Sequence, residues 1–177
     1  MKEMSLHILD LIENAAEAGA RRVSVLVVED PEKDKLRISV SDDGRGMPPE
    51  LLKTALDPFT TTRKTRKVGM GLALLAGTAQ QAGGKLVVWS ELGKGIRVRA
   101  EMQLSHLDRA PLGRVADTLA SAAVLHPKVD LRFRHRGPTG SHGIAVQRLS
   151  GKGDPVAMRG EIRSRVAEGR RRIGSVA

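Results

Sequence analysis

An α/β fold is what this sequence predicts, and three observations carry the expectation. Stretches with the three-to-four spacing of a buried helical stripe alternate with stretches whose apolar residues recur at every second position. The boundaries between them are marked by Gly, Pro and Asp, as at Gly19, Asp30-Pro31, Gly83-Gly84 and Gly93. At 177 residues the chain has room for one ordinary domain and a small appendage, and so for one core activity.

The elements follow in order. Leu6 to Gly19 reads as a short amphipathic helix with Ile8, Leu11, Ile12 and Ala15 on its buried stripe and Gly19 as its stop. On another stripe Asp10, Asn14 and Glu17 fall at intervals of four and three, which gathers two carboxylates and a carboxamide. Arg22–Glu29 and Leu36–Asp42 read as strands joined by a polar turn, a hairpin pattern that ends in Asp42-Asp43-Gly44-Arg45-Gly46-Met47-Pro48-Pro49. A helix from Glu50 to Leu56, the polar loop Thr60–Lys67 and a helix from Leu72 to Ala82 come next. A second hairpin, Lys85–Glu91 with Gly95–Leu104, closes this part.

Past Ser105 the character changes, and a boundary is placed near 105–112. Residues 107–177 read as a small α+β segment: a helix Arg114–Leu125, strands Val129–Arg134 and Gly143–Leu149, and a basic helix Arg159–Arg172. Net charge is +10 and unevenly divided: residues 1–106 hold 16 Lys and Arg against 14 Asp and Glu, whereas 107–177 hold 14 against 6. The basic segment suits an anionic partner or simply a solvated surface. Arg132, Arg134 and Arg136 recur on one strand face, either to clamp phosphate or acidic protein or to guard an edge strand against aggregation.

Composition excludes several function classes. The absence of cysteine removes disulfides, thiolate catalysis, Cys-based zinc sites and iron–sulfur ligation. With aromatics at 2%, a single-strand nucleic-acid platform of stacked rings is not expected. No secretory signal pattern and no run of about 20 apolar residues is present, so a cytoplasmic protein without membrane contact is expected. His106, His126, His135 and His142 lack metal-ligand spacing and read as surface or loop residues, and His7 as a satisfied or solvent-facing one.

Three short segments together point to a nucleotide. A carboxylate at a strand end, Asp42, followed by Gly44 and Gly46, accepts a hydrogen bond from an exocyclic amine while backbone closes on a flat ring. Adenine offers that amine; guanine offers a carbonyl there. Gly69-Met70-Gly71 opens a helix and presents N–H groups to a phosphate chain. Asn14 and Asp10, one turn apart, offer oxygens to Mg²⁺ and its waters. Each segment alone is common; their order within about 70 residues lifts the reading.

The set Asp10-Leu-Ile-Glu-Asn14, Asp42-Asp-Gly-Arg-Gly46-Met47, Asp57-Pro-Phe59-Thr60-Thr61-Thr62 and Gly69-Met70-Gly71-Leu72 resembles the GHKL superfamily of gyrase, Hsp90, histidine kinases and MutL. Over 1–106 it looks most like a stand-alone histidine-kinase catalytic domain. The resemblance implies the Bergerat α/β sandwich, a mixed sheet covered on one face by helices, and the cofactors ATP and Mg²⁺. It implies that Asn14 ligates Mg²⁺, that Asp42 reads adenine, and that Gly44, Gly46 and Met47 line the base pocket. Gly69, Met70, Gly71 and Leu72 would meet the phosphates, and Phe59 would anchor a lid that includes Thr60, Thr61, Thr62 and Lys67.

Two departures stand out. Asp10 occupies the place of the hydrolytic members' general-base Glu, with Glu13 as the alternative catalytic carboxylate. Lys67 replaces a Gly that often begins the phosphate-binding box. The chain opens almost at the Asn14 box, so phosphorylation of a histidine in cis is not expected. The function implied is a histidine-kinase-like or serine-kinase-like phosphotransferase or ATPase acting on a separate protein. The alternatives are a nucleotide-sensing module with negligible turnover and, motivated by the basic segment, a nucleic-acid-binding protein.

Overall fold

Alternation along the first hairpin decides the layering. In β1 (Arg22–Asp30), Val23, Val25 and Val27 are buried on one side while Ser24, Leu26 and Val28 face the other. β2 (Lys35–Asp42) pairs with it antiparallel and sets Ile38 opposite Val27 and Val40 opposite Val25, so both strands bury the same face. The remaining strands are β3 (Lys85–Glu91), β4 (Gly95–Gln103), β5 (Asp130–Gly137) and β6 (Gly140–Ala145). The computed structural model, which describes residues 3–56, 70–149 and 154–177, arranges them as one sheet in the order β3-β4-β2-β1-β5-β6. Neighbours are antiparallel except β1 with β5, which run parallel, so the sheet is mixed.

Helices α1 (Met4–Glu17), α3 (Met70–Gln81), α4 (Val115–Leu125) and α6 (Pro155–Arg172) cover the buried face, with the shorter α2 (Pro49–Leu56) and α5 (Val146–Leu149) between them. Met4, Ile8, Ile12 and Ala15 of α1 and Leu72, Leu75 and Ala79 of α3 join the inward side chains of the sheet in one apolar cluster. Leu119 and Ala123 of α4 and Ile162 and Val166 of α6 extend that cluster over β5. Full burial of each Leu, Ile or Val contributes about 1.5–3 kcal/mol, so a core of aliphatic residues suffices with Phe133 as its buried aromatic. The helices are also tied laterally, by Thr118 Oγ1 donating to the Ser5 carbonyl at 3.2 Å and Arg163 Nε to Asp117 at 2.6 Å.

Helices and strands form where the periodicities predict them, most ends agreeing within two residues. Three elements depart: α6 begins four residues before the expected Arg159, at Pro155 behind the Asp154 cap, β5 runs on to Gly137 and not Arg134, and in place of the strand Gly143–Leu149 β6 starts at Gly140 and the chain turns into α5 at Val146. The cause in the strands is the tight turn after Gly137, which sets Gly137 opposite Gly140 and begins pairing there, while Val146 is drawn into the core.

The arginine row also lies elsewhere than an edge. β5 sits between β1 and β6, so Arg132, Arg134 and Arg136 occupy an interior strand and its exposed face. On the opposite side of the same strand His135 is buried, not a surface residue. Its Nε2 meets Glu29 Oε1 at 2.6 Å, and Glu29 also accepts from Ser175 Oγ at 2.7 Å and from the N–H groups of Val176 and Ala177 at 2.6 and 3.0 Å. Burial pushes the Glu29 carboxyl up, but the hydrogen bonds from His135, Ser175 and Val176 and the neighbouring imidazole outweigh it and bring it down to about 2.

Candidate functional site

The period of two that runs Leu36, Ile38, Val40 ends on Asp42, so its carboxylate emerges on the helix-covered face. There it is half-buried, and Oδ1 accepts the Gly44 N–H at 2.8 Å. Burial raises its pKa from the ordinary carboxylate value, and the N–H groups of Gly44 and Ile96 pull against that rise. The adjacent Asp43 points the other way and is consumed by structure, accepting the Arg21 and Arg22 N–H groups at 2.8 Å each and Arg22 Nε at 3.0 Å.

The loop after Asp42 is clasped between α1 and the β3–β4 hairpin. The Arg45 N–H donates to the Ala18 carbonyl at 3.0 Å, and the Arg45 carbonyl accepts the Gly93 N–H at 2.8 Å. Ser90 Oγ accepts the Met47 N–H at 2.7 Å. Gly46 has φ +68°, and a Cβ there would stand 2.1 Å from the Glu91 carbonyl oxygen, so conformation and space both require glycine.

Across the pocket, α1 presents Asn14, whose Nδ2 donates to Asp10 Oδ2 at 3.4 Å and whose Oδ1 accepts no hydrogen bond from the described residues. Burial raises the Asp10 pKa, opposed by the Asn14 hydrogen bond and reinforced by the charge of Glu17. The start of α3 lies directly against this carboxylate: a Cβ on Gly71 would fall 1.7 Å from Asp10 Oδ2. A cavity of about 400 Å³ is bounded by Asn14 and Ala15, by Val40 and Asp42, by Gly46 and Met47, by Leu51 and Leu72, and by Ile96 and Val98. That is a small-ligand volume, with mostly apolar walls and a few convergent polar groups.

The structure thus brings Asn14, Asp42, Gly46, Met47 and Leu72 around one cavity, with Asp10, Gly44 and Gly71 immediately behind them. Glu13, half-buried on α1, does not line it. Met70 opens α3, and Phe59, Thr60, Thr61, Thr62, Lys67 and Gly69 lie outside the described residues. Ala15, Ala18, Leu51 and Val98 line the cavity without having been singled out. Only the β2–β4 register, which sets Val40 opposite Val98, carries the signal for the last of these. His7, also near α3, is buried instead of solvent-facing; its Nε2 lies 3.2 Å from Thr78 Oγ1, and burial lowers its pKa to about 4.

The structure thus sets the oxygens of Asn14 and Asp10 and the carboxylate of Asp42 around one largely apolar cavity between helices and sheet. The family model of the histidine kinase-, DNA gyrase B- and HSP90-like ATPases matches residues 3–106, and the chain belongs to that family. A putative sensor protein of Shewanella frigidimarina is 30% identical over 103 residues, which are 57% of this chain and 16% of that protein. The sensor kinase CckA of Brucella abortus is 39% identical over 66 residues, 37% of this chain and 7% of that one. The chain therefore spans well under a quarter of the length of these curated relatives. Among solved structures, the N-terminal domain of a DNA repair protein superimposes with a TM-score of 0.59 at 17% identity, covering 90% of this chain and 59% of its own. That likeness is one of fold. Among the described residues no helix is long and apolar enough to cross a membrane.

Proposed function

We propose that this chain binds ATP with Mg²⁺ in the cavity between α1, β2 and α3 and acts as a histidine-kinase-like or serine-kinase-like phosphotransferase or ATPase on a separate protein. One observation carries the reading: a half-buried carboxylate, Asp42, at the end of a strand, inside a cavity whose walls are otherwise largely Val, Ile, Leu, Met and Ala. Asp42 takes the adenine amine, and Val40, Met47 and Ile96 flank the ring. Asn14 Oδ1, with Asp10 behind it, holds the cation, which when bound neutralises phosphate charge. Gly71 lets the first turn of α3 approach Asp10, so that phosphates meet helix N–H groups close to that cation.

A nucleotide-sensing role with little turnover is favoured by a second observation. Neither Glu13 nor Asp10 lines the cavity; Asp10 stands behind Asn14 with a side chain one methylene shorter than Glu, so neither carboxylate is set to act as a base on bound ligand. If Asp10→Asn abolishes turnover and leaves Mg²⁺-free nucleotide binding intact, chemistry is real; if the wild type does not turn over, sensing is the function.

The first test is calorimetric titration of ADP and of GDP, each with and without Mg²⁺, into wild type and Asp42→Asn. Adenine-selective binding is expected, weakened by roughly 10–100-fold in the variant, the cost of losing a charged hydrogen-bond acceptor. Equal binding of ADP and GDP, or none of either, refutes the assignment.

A further inference from the structure

The face of the sheet turned away from the helices carries a second concentration of chemistry, built from both segments of the chain. The register lines up Trp89, Arg97, Ser41, Ser24 and Arg132 across the strands in one row. The next row is Val87, Arg99, Ser39, Leu26 and Arg134, and a third runs Glu101, Arg37, Val28 and Arg136. Arginines of β4 and of β5 thus face each other over three strand spacings, about 14 Å, with serine hydroxyls on the floor between them. A broad groove of about 980 Å³ lies there.

Only part of this charge is spent internally. Arg37 pairs with Glu101 at 3.0 Å and Arg132 with Asp130 at 2.7 Å, and the Arg99 guanidinium lies 5.0 Å from the Trp89 ring centre. Arg97, Arg134 and Arg136 have no acidic partner among the described residues. Arg99 Nε is buried with no hydrogen-bond acceptor among the described residues, an unmet N–H at the side of the groove.

We infer that this groove binds duplex nucleic acid through its phosphates, without reading sequence. Protein interfaces draw their energy from buried apolar and aromatic anchors, and this floor offers serines with two partly exposed aliphatic side chains, Leu26 and Val28. Nucleic-acid interfaces are polar and strongly basic, with hydroxyl and guanidinium contacts to phosphate. Single strands require rows of stacking rings, and Trp89, exposed at the rim with Arg99 over its ring, is the one aromatic on this face among the described residues. The two arginine-bearing strands lie about 14 Å apart at the backbone, on the scale of the roughly 12 Å that separates the phosphate strands across the major groove of B-form DNA. The inference is independent of what occupies the cavity on the other face.

The test is fluorescence anisotropy of a labelled 20-base-pair duplex of arbitrary sequence, DNA and RNA in parallel, over a salt series. The proteins are wild type, the triple variant Arg97→Ser, Arg134→Ser, Arg136→Ser, and a control that removes the same charge from exposed positions of α6, Arg159→Ser, Arg165→Ser, Arg171→Ser. The wild type is expected to bind the DNA duplex, and more tightly than the RNA duplex with its narrow major groove, with the slope of log Kd against log salt shallower by about 3 in the sheet variant. Affinity there falls at least tenfold near 0.1 M salt, while the α6 control stays within about twofold of wild type. Ser41→Glu, which plants a negative charge on the groove floor, weakens binding in the same direction and serves if the triple variant does not fold. Unchanged binding in both sheet variants, equal loss in the α6 control, or capture of poly-glutamate with no capture of duplex each overturns the proposal.

Discussion

Replacing Gly46 by Ala tests whether the loop after Asp42 is truly clasped against the β3–β4 hairpin. Two costs arise there. The left-handed conformation at φ +68° is unfavourable for alanine by about 1–2 kcal/mol. In addition a Cβ 2.1 Å from the Glu91 carbonyl oxygen forces the backbones apart by roughly 1 Å, since both partners are main chain and neither can rotate away. That shift breaks into the Gly93 N–H to Arg45 carbonyl bond and the Met47 N–H to Ser90 Oγ bond, at about 0.5–1.5 kcal/mol each. The sum is about 4 kcal/mol, or a melting temperature lower by about 8–16 °C for a chain of this size. Gly93→Ala is the control: its φ is +76°, yet its Cβ meets nothing within 4 Å. It carries the conformational cost alone, about 1–2 kcal/mol and about 2–8 °C. The assay is thermal unfolding of both variants beside wild type, with ADP titration where the protein remains folded. Equal destabilisation of the two variants would refute the clasp, and with it the claim that the hairpin sets the position of Met47 and the cavity wall.

Two further predictions probe the opposite ends of the molecule. Glu29 is held at about 2 in the folded chain against an ordinary 4.5, so its contribution, about 3 kcal/mol, is complete above pH 4.5 and is lost as pH falls through about 2. Denaturant unfolding from pH 6 to pH 2.5 should show that fall, and Glu29→Gln should flatten it; an unchanged pH slope in the variant would show that Glu29 does not clamp the residues after α6. For Gly71→Ala the new Cβ displaces the Asp10 carboxylate, which rotates and releases Asn14, while the gain in helix propensity of up to about 1 kcal/mol offsets much of the strain. Melting temperature should stay within a few degrees, and the extra ADP affinity conferred by Mg²⁺ should drop; retention of the full Mg²⁺ increment would separate Asp10 and Asn14 from the cation.

Much was legible in the residues alone, and for a local reason. A stripe at three-to-four spacing makes α1 wherever it packs, and alternation makes β1 and β2 strands before any partner is known. The boxes around Asn14, Asp42 and Gly71 are short, contiguous patterns whose chemistry is carried by residue type, so the family and the pocket's main polar groups could be read from them. Apolar wall positions such as Leu51 and Val98 were not, because an aliphatic residue lines a cavity or fills the core according to what faces it. Likewise two adjacent aspartates look alike in sequence, and only the pleat sends Asp42 into the cavity and Asp43 to Arg22.

What tertiary structure alone decided is where the C-terminal residues go. β5 inserts beside β1, roughly a hundred residues away in the chain, and pairs parallel to it. No periodicity encodes a partner at that distance, since strand pairing depends on backbone groups common to every residue and on the shape left by the rest of the core. That one pairing turns an apparent edge strand into an interior one, buries His135 against Glu29, and sets the arginines of β4 and β5 on one face. Residue type thus determined what each segment can do, and the register of the sheet determined which of those capacities act together.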